Sequence, residues 1–194
     1  QDYFDQARTL AEQHDLKMHL DGARLVNAMA ATQLTAAELA APFDSVSVCC
    51  SKGLGAPVGS LLVGPTDYIA RARRWRKMVG GGMRQAGILA AAIDHALDHH
   101  IERIQEDHEN AKWLAVALQK ACVNTHIGVS DARTNMVYLT LPSVEFAGSL
   151  QRFMEKNKVK IGAAKKLRLV THLDITRRDL ERFAELFEEF LKTQ

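Results

Sequence analysis

The segment Ser51-Lys52-Gly53-Leu54-Gly55-Ala56-Pro57-Val58-Gly59-Ser60 sets one lysine between a β-branched run and a glycine-rich turn, where a Schiff-base lysine belongs. A lysine amine forms an imine with an aldehyde cofactor once a cationic, electron-poor setting keeps part of it unprotonated. Upstream, Met18-His19-Leu20-Asp21-Gly22-Ala23-Arg24 is a short apolar stretch that ends on an aspartate and a glycine turn. A carboxylate there can pair with a protonated pyridine nitrogen and keep the ring an electron sink. Together the two segments point to pyridoxal 5'-phosphate (PLP) chemistry. Gly53, Gly55 and Gly59 would let the backbone turn tightly around the lysine.

These residues need elements that bring them together. Lys17 to Leu20 and Ser45 to Cys50 read as strands, and Ala23 to Met29 and Thr35 to Ala41 between them as helix. A strand, helical crossover and strand form a βαβ unit with parallel strands. Asp21 and Lys52 then leave neighbouring strands at their carboxyl ends, the edge where open α/β sheets bind ligands. Asp2 to His14 reads as an amphipathic helix, and Pro65-Thr66-Asp67 starts one that runs to Met78, where Gly80 to Gly82 breaks it. Helices over Gln85 to His99 and Ile101 to Ala121 follow. Beyond them come strand Asn135 to Leu141, helix Val144 to Asn157, strands Val159 to Ile161 and Arg168 to Thr171, and helix Arg177 to Lys192.

The stretches HLDGARLVNA (His19 to Ala28), SKGLGAPVGSLLVG (Ser51 to Gly64), RWRKMVGGGMRQAGILAAA (Arg74 to Ala92), QEDHENA (Gln105 to Ala111) and RLVTHLDIT (Arg168 to Thr176) occur in order along the chain. In them the chain resembles the low-specificity L-threonine aldolases, PLP enzymes of the aspartate-aminotransferase fold. The resemblance implies an α/β protein of the PLP-dependent transferase-like fold (fold type I). Its reaction is retro-aldol cleavage of L-threonine or L-allo-threonine to glycine and an aldehyde. It makes Lys52 the cofactor lysine, next to Ser51, and Asp21 the partner of the pyridine nitrogen. Arg24 lies close to cofactor and substrate, Arg84 reaches the cofactor phosphate, and Arg168 holds the amino-acid carboxylate. A planar two-pronged guanidinium suits both anions.

The chain starts at Gln1 without an initiator methionine. On the family pattern the first half of the large domain is expected to be absent, and with it the glycine-rich phosphate-binding helix start and two histidines. The expected organisation is a partial large domain with a parallel-rich sheet over residues 1–78, a connecting helical region carrying Arg84 over 79–107, and a small C-terminal α/β domain over 108–194. The family implies a homo-oligomer, a dimer of dimers, for the intact protein.

Composition is that of an ordinary globular chain: 194 residues, 47% apolar, 25% charged and a net charge of +2. No apolar run reaches the roughly 20 residues of a membrane span. Three cysteines, Cys49, Cys50 and Cys122, lack zinc-ligand spacing and make an odd count. They read as core thiols in a reducing, cytoplasmic compartment. His95, His99 and His100 share a helix but lack the further ligands that zinc needs, so they read as polar surface and no metal is expected. His172, four residues after Arg168, reads either as near the site or as structural. Basic residues Arg71, Arg73, Arg74, Arg76 and Lys77 around Trp75 could track nucleic-acid phosphates. The charge is local and no nucleic-acid motif accompanies it, so a solvated helix or subunit contact is the better reading. Two alternatives to the aldolase stay open: an inactive short product keeping the fold's oligomerisation surfaces, and a β-eliminating lyase of the same fold, whose glycine and arginine surroundings match less well.

Overall fold

The computed structural model describes residues 2–193. They form two compact units that divide after Ile104. The first contains α1 (Asp2–Gln13), β1 (His19–Gly22), α2 (Leu25–Thr32), α3 (Ala36–Ala40), β2 (Ser45–Cys49), β3 (Ser60–Val63), α4 (Thr66–Met78) and α5 (Gly87–His99). β1 and β2 pair in parallel, His19 opposite Ser45 and Gly22 opposite Val48. β3 pairs with the other edge of β2 in antiparallel fashion, Cys49 opposite Ser60. Parallel neighbours need a crossover, which α2 and α3 supply. Thr35 and Glu38 form a reciprocal capping box at the start of α3.

Several boundaries differ from the sequence expectation. β1 starts at His19 instead of Lys17, because Asp44 holds the preceding residues outside the ladder. Its carboxylate accepts from the Met18 amide at 2.9 Å and pairs with the Arg8 guanidinium of α1 at 2.8 Å and with Lys17 at 3.4 Å. Its amide donates in turn to the Met18 carbonyl. Bonding to that amide, with Arg8 and Lys17 alongside, holds the Asp44 carboxyl below the usual range against the opposing effect of desolvation. Asp21 therefore lies within β1. α2 starts at Leu25 instead of Ala23, since Asp21 Oδ1 accepts from the Ala23 amide at 3.1 Å and keeps the intervening residues in a turn. Ser60–Val63, to which the sequence reading assigned no element beyond the glycine-rich turn that ends at Ser60, is a strand exposed along its length.

The second unit holds α6 (Ile104–Ala121) beyond its first residue, then β4 (Gly128–Val129), β5 (Met136–Thr140), α7 (Val144–Lys156), β6 (Lys166–Val170) and α8 (Arg177–Leu191). Its strands form an antiparallel sheet in the order β4-β5-β6. Strand alternation sends Val137, Leu139 and Leu167 into a core with Leu114 and Leu118 of α6, Leu150 and Met154 of α7, and Phe183 and Phe187 of α8. Ser143 caps α7, and a Thr176–Asp179 capping box starts α8. The expected strand over Val159 to Ile161 is absent. Lys158, with φ of 61°, reverses the chain after α7, and the next residues bond back to that helix through Val159 N to Met154 O and Gln151 Nε2 to Ile161 O. Val159 and Ile161 still pack on the core, which explains their apolar alternation. Among the described residues, no helix is long and apolar enough to cross a membrane.

Gly22 ends β1 where it is packed against β2: a Cβ there would lie 2.7 Å from the Ser47 carbonyl oxygen and 3.1 Å from Val46 Cγ1. Gly22→Ala should lower stability by about 1–3 kcal/mol, as overpacking against backbone does. A denaturant melt of the variant checks this, and an unchanged midpoint would contradict the close β1–β2 approach.

Candidate active site

Lys52 stands just past the end of β2 in a turn whose flanks are buried while the lysine itself is exposed. Cys50, Leu54 and Ala56 sink into a core with Val26, Ile93, Ala96 and Ile104. Three backbone bonds close the turn: Cys50 N to Gly59 O at 3.0 Å, Gly55 N to Lys52 O at 2.9 Å and Ala56 N to Cys50 O at 2.9 Å. Gly55 and Gly59 take φ of 71° and 119°, conformations that exclude most side chains. Gly53 meets α2 so closely that a Cβ would lie 2.9 Å from Asn27 Oδ1. A fixed turn with a free amine at its apex is a suitable holder for an aldehyde.

Asp21 is the last residue but one of β1, opposite Ser47 of β2 and toward the carboxyl-terminal end of the two strands. Its side chain is exposed, and Oδ1 is engaged with the Ala23 amide. Arg24 follows at the entry to α2, and its Nε is buried without a hydrogen-bond partner. A buried donor left unmet is costly, and a phosphate or carboxylate oxygen would satisfy it. The exposed amine, the carboxylate and the unmet guanidinium donor therefore fit an aldehyde cofactor that also carries an anion. Ser51 is exposed beside Lys52, and Arg84 is exposed in the turn between α4 and α5.

Cys49 is half-buried, contrary to the expectation of a core thiol, and its Sγ lies 3.3 Å from Ser51 Oγ. Burial by itself would push this thiol up. The Ser51 hydroxyl and amide, the Lys52 charge and the Ser60 hydroxyl together outweigh it, and the net shift is downward. Cys50 and Cys122 are buried as expected, and burial raises both. His100 also departs from the surface reading: its Nδ1 lies 2.5 Å from the Leu54 carbonyl and ties the end of α5 to the lysine turn. No spacing in the sequence could reveal that bond, because it joins residues on separate elements. His95 and His99 remain exposed, their rings 4.4 Å apart. Among the described residues, no group of three or more His, Cys, Asp or Glu is placed to hold a metal.

Arg168 belongs to the second unit. It is exposed on the outer face of β6, opposite Tyr138 of β5, whose ring has the Lys166 ammonium 5.6 Å from its centroid. A cavity of about 570 Å³ beside β6 is lined by Arg168, Lys158, Lys160 and Arg182, with Asp174 and Asp179 on the same wall. His172 shapes the following turn, where its Nδ1 accepts from the Asp174 amide at 3.3 Å.

Comparison with known proteins adds to this geometry. The family model described as beta-eliminating lyase matches residues 1–142. A low specificity L-threonine aldolase of Escherichia coli K12 is 45% identical over 190 residues, covering 98% of this chain and 56% of its own length. A low-specificity L-threonine aldolase of Arabidopsis thaliana is 37% identical over 196 residues, covering 99% of this chain and 54% of its own. The chain thus spans little more than half the length of these curated relatives. Among solved structures, a threonine aldolase of Leishmania major superposes with a TM-score of 0.77 at 20% identity, over 96% of this chain and 55% of that one. That likeness gives the fold: the mixed α/β architecture of fold type I, covered in part.

The lowered Cys49 thiol forms its thiolate at a lower pH than an ordinary cysteine, so its alkylation should accelerate at lower pH than that of a free thiol. Lys52→Gln removes the nearby positive charge and should move that profile upward. Peptide mapping after iodoacetamide treatment reads both effects. A profile that ignores the Lys52 substitution would contradict the electrostatic contact.

Proposed function

This chain belongs to the beta-eliminating lyase family, and from that premise we propose that the protein is a PLP-dependent aldehyde-lyase cleaving L-threonine or L-allo-threonine to glycine and an aldehyde. The observation that carries the reading is the parallel β1–β2 register, with an aspartate near the carboxyl end of one strand and a lysine turn leaving the next toward the same end of the sheet. The names of the relatives, low-specificity L-threonine aldolases, support it.

When bound, PLP supplies an electron sink for the carbon left behind by cleavage. On this reading Lys52 holds the cofactor through its amine, with Ser51 beside it, and Asp21 keeps a proton on the pyridine nitrogen. Arg84 binds the phosphate. Arg24 turns its buried Nε toward an anionic oxygen of cofactor or substrate. Arg168 would hold the substrate carboxylate and so help orient the substrate for cleavage.

The same reading makes residues 1–78 part of a larger PLP-binding domain, 79–107 a connecting region and 108–194 a small domain. β3 supports it: Leu61, Leu62 and Val63 are exposed on an apolar strand of the kind found inside broad sheets. The intact protein is read as a cytoplasmic homotetramer in amino-acid metabolism. Free thiols support the reducing compartment. Exposed Trp75, Met78, Val79, Met83 and Ile88 on and after α4 support subunit contacts. The family description also favours a second reading, β-elimination, which would release a 2-oxo acid and ammonia in place of glycine.

Adding PLP to the purified chain, trapping with borohydride and mapping the modified peptide tests the cofactor site. The expected label falls on Lys52 and is lost in Lys52→Ala. Labelling spread over other lysines and unaffected by that substitution would contradict it. With the intact protein, glycine and acetaldehyde from threonine distinguish the aldolase from the eliminating lyase.

A further inference from the structure

β6 and its continuation read Lys166-Leu167-Arg168-Leu169-Val170-Thr171. Side-chain direction in a strand repeats every second residue, so a slip by one residue would drive Arg168 into the leucine core. A slip by two that set Lys166 opposite Tyr138 would put Lys165 in the place of buried Leu167, and the core rejects it; the opposite slip by two brings Leu169 to that place and keeps an aliphatic residue outward. In the observed register Arg168 faces Tyr138, whereas that second slip would put Val170 there. The apolar pattern does not choose between these two registers, and what chooses must be polar.

The end of β6 carries such a selection. The Thr171 amide donates to the Asn135 carbonyl at 3.0 Å, and Asn135 Nδ2 donates back to the Thr171 carbonyl at 2.8 Å. Thr171 Oγ1 donates to the Asp107 carbonyl, in α6, at 2.6 Å and also lies 3.4 Å from the Asn135 carbonyl. Thr171 and Asn135 are each 2% exposed, so water cannot replace these bonds. The slip that sets Val170 opposite Tyr138 would bring Leu173 to the Thr171 position, and a leucine has no hydroxyl for the Asp107 carbonyl.

We propose that Thr171 is a positioning residue: its hydroxyl, with the Asn135 amide, sets the register of β6 and so presents Arg168, in place of Val170, to the substrate carboxylate. This rests on the reading of Arg168 as the carboxylate anchor.

The test measures glycine binding to the intact PLP-loaded protein through the visible spectrum of the bound cofactor, beside hydrogen exchange of the β6 amides. Thr171→Val keeps the shape and removes the hydroxyl. It should weaken glycine binding roughly fivefold, the scale of one lost hydrogen bond, and speed β6 exchange, while PLP affinity stays unchanged. Thr171→Ser should restore both readouts. Should Thr171→Val not fold, Asn135→Ala removes the other half of the clip and decides on the same two readouts. Wild-type glycine affinity in the clip variant, with Arg168→Ala clearly weakened, would overturn the positioning role and leave the anchor reading standing. If Arg168→Ala itself binds glycine as wild type does, the anchor reading falls, and the positioning role of Thr171 falls with it.

Discussion

The parallel pairing of β1 with β2 is the constraint on which the first unit depends. Parallel strands have the same polarity, so the chain must return the length of the sheet before it adds the second strand, and α2 and α3 make that return. In exchange, the aspartate next to the last residue of one strand and the lysine turn that follows the next lie toward one end of the sheet. Several other contacts in the unit hold this arrangement. Asp44 gathers α1 and the entry to β1 through Arg8 and Met18. Gly22 lets the strands approach, and Cys50, Leu54 and Ala56 anchor the turn while Lys52 stays free.

The second unit solves a different problem with the same materials. Its antiparallel sheet has one face in the core and one outside, and β5 and β6 divide their residues accordingly: Val137, Leu139 and Leu167 inward, Tyr138 and Arg168 outward. Three helices close the inner face around Phe187, which has no exposed surface. Burying an aromatic side chain of this kind contributes about 1.5–3 kcal/mol, yet it is indifferent to register. Hydrophobic burial sets which face of β6 is inside, and hydrogen bonds at the strand end set where along the strand each residue falls.

Most elements were legible in the sequence because they carry local signals. Helices α7 and α8 begin at Ser143 and Thr176, side chains that cap orphan amides, and run on with apolar spacing matched to the core. The exceptions have one cause, which is that the competing partner lies elsewhere in the chain. Val159 to Ile161 alternates like a strand, but bonds from α7 claim its backbone. Ser60–Val63 sits in a glycine-rich stretch and becomes a strand only because the exposed edge of β2 accepts it.

For the candidate site, the residue types and their order were already determined by the sequence: a lysine in a glycine turn, an aspartate before a glycine, and arginines in fixed surroundings. Those follow from chemistry, since few side chains can form an imine, hold a pyridine proton or grip a carboxylate. Only the tertiary structure decided that Cys49 is half-exposed beside Ser51, that His100 bonds the Leu54 carbonyl, and that Arg24 keeps a buried donor unmet. Each of these depends on solvent exclusion and on partners distant in sequence, and local patterns of polarity carry no record of either.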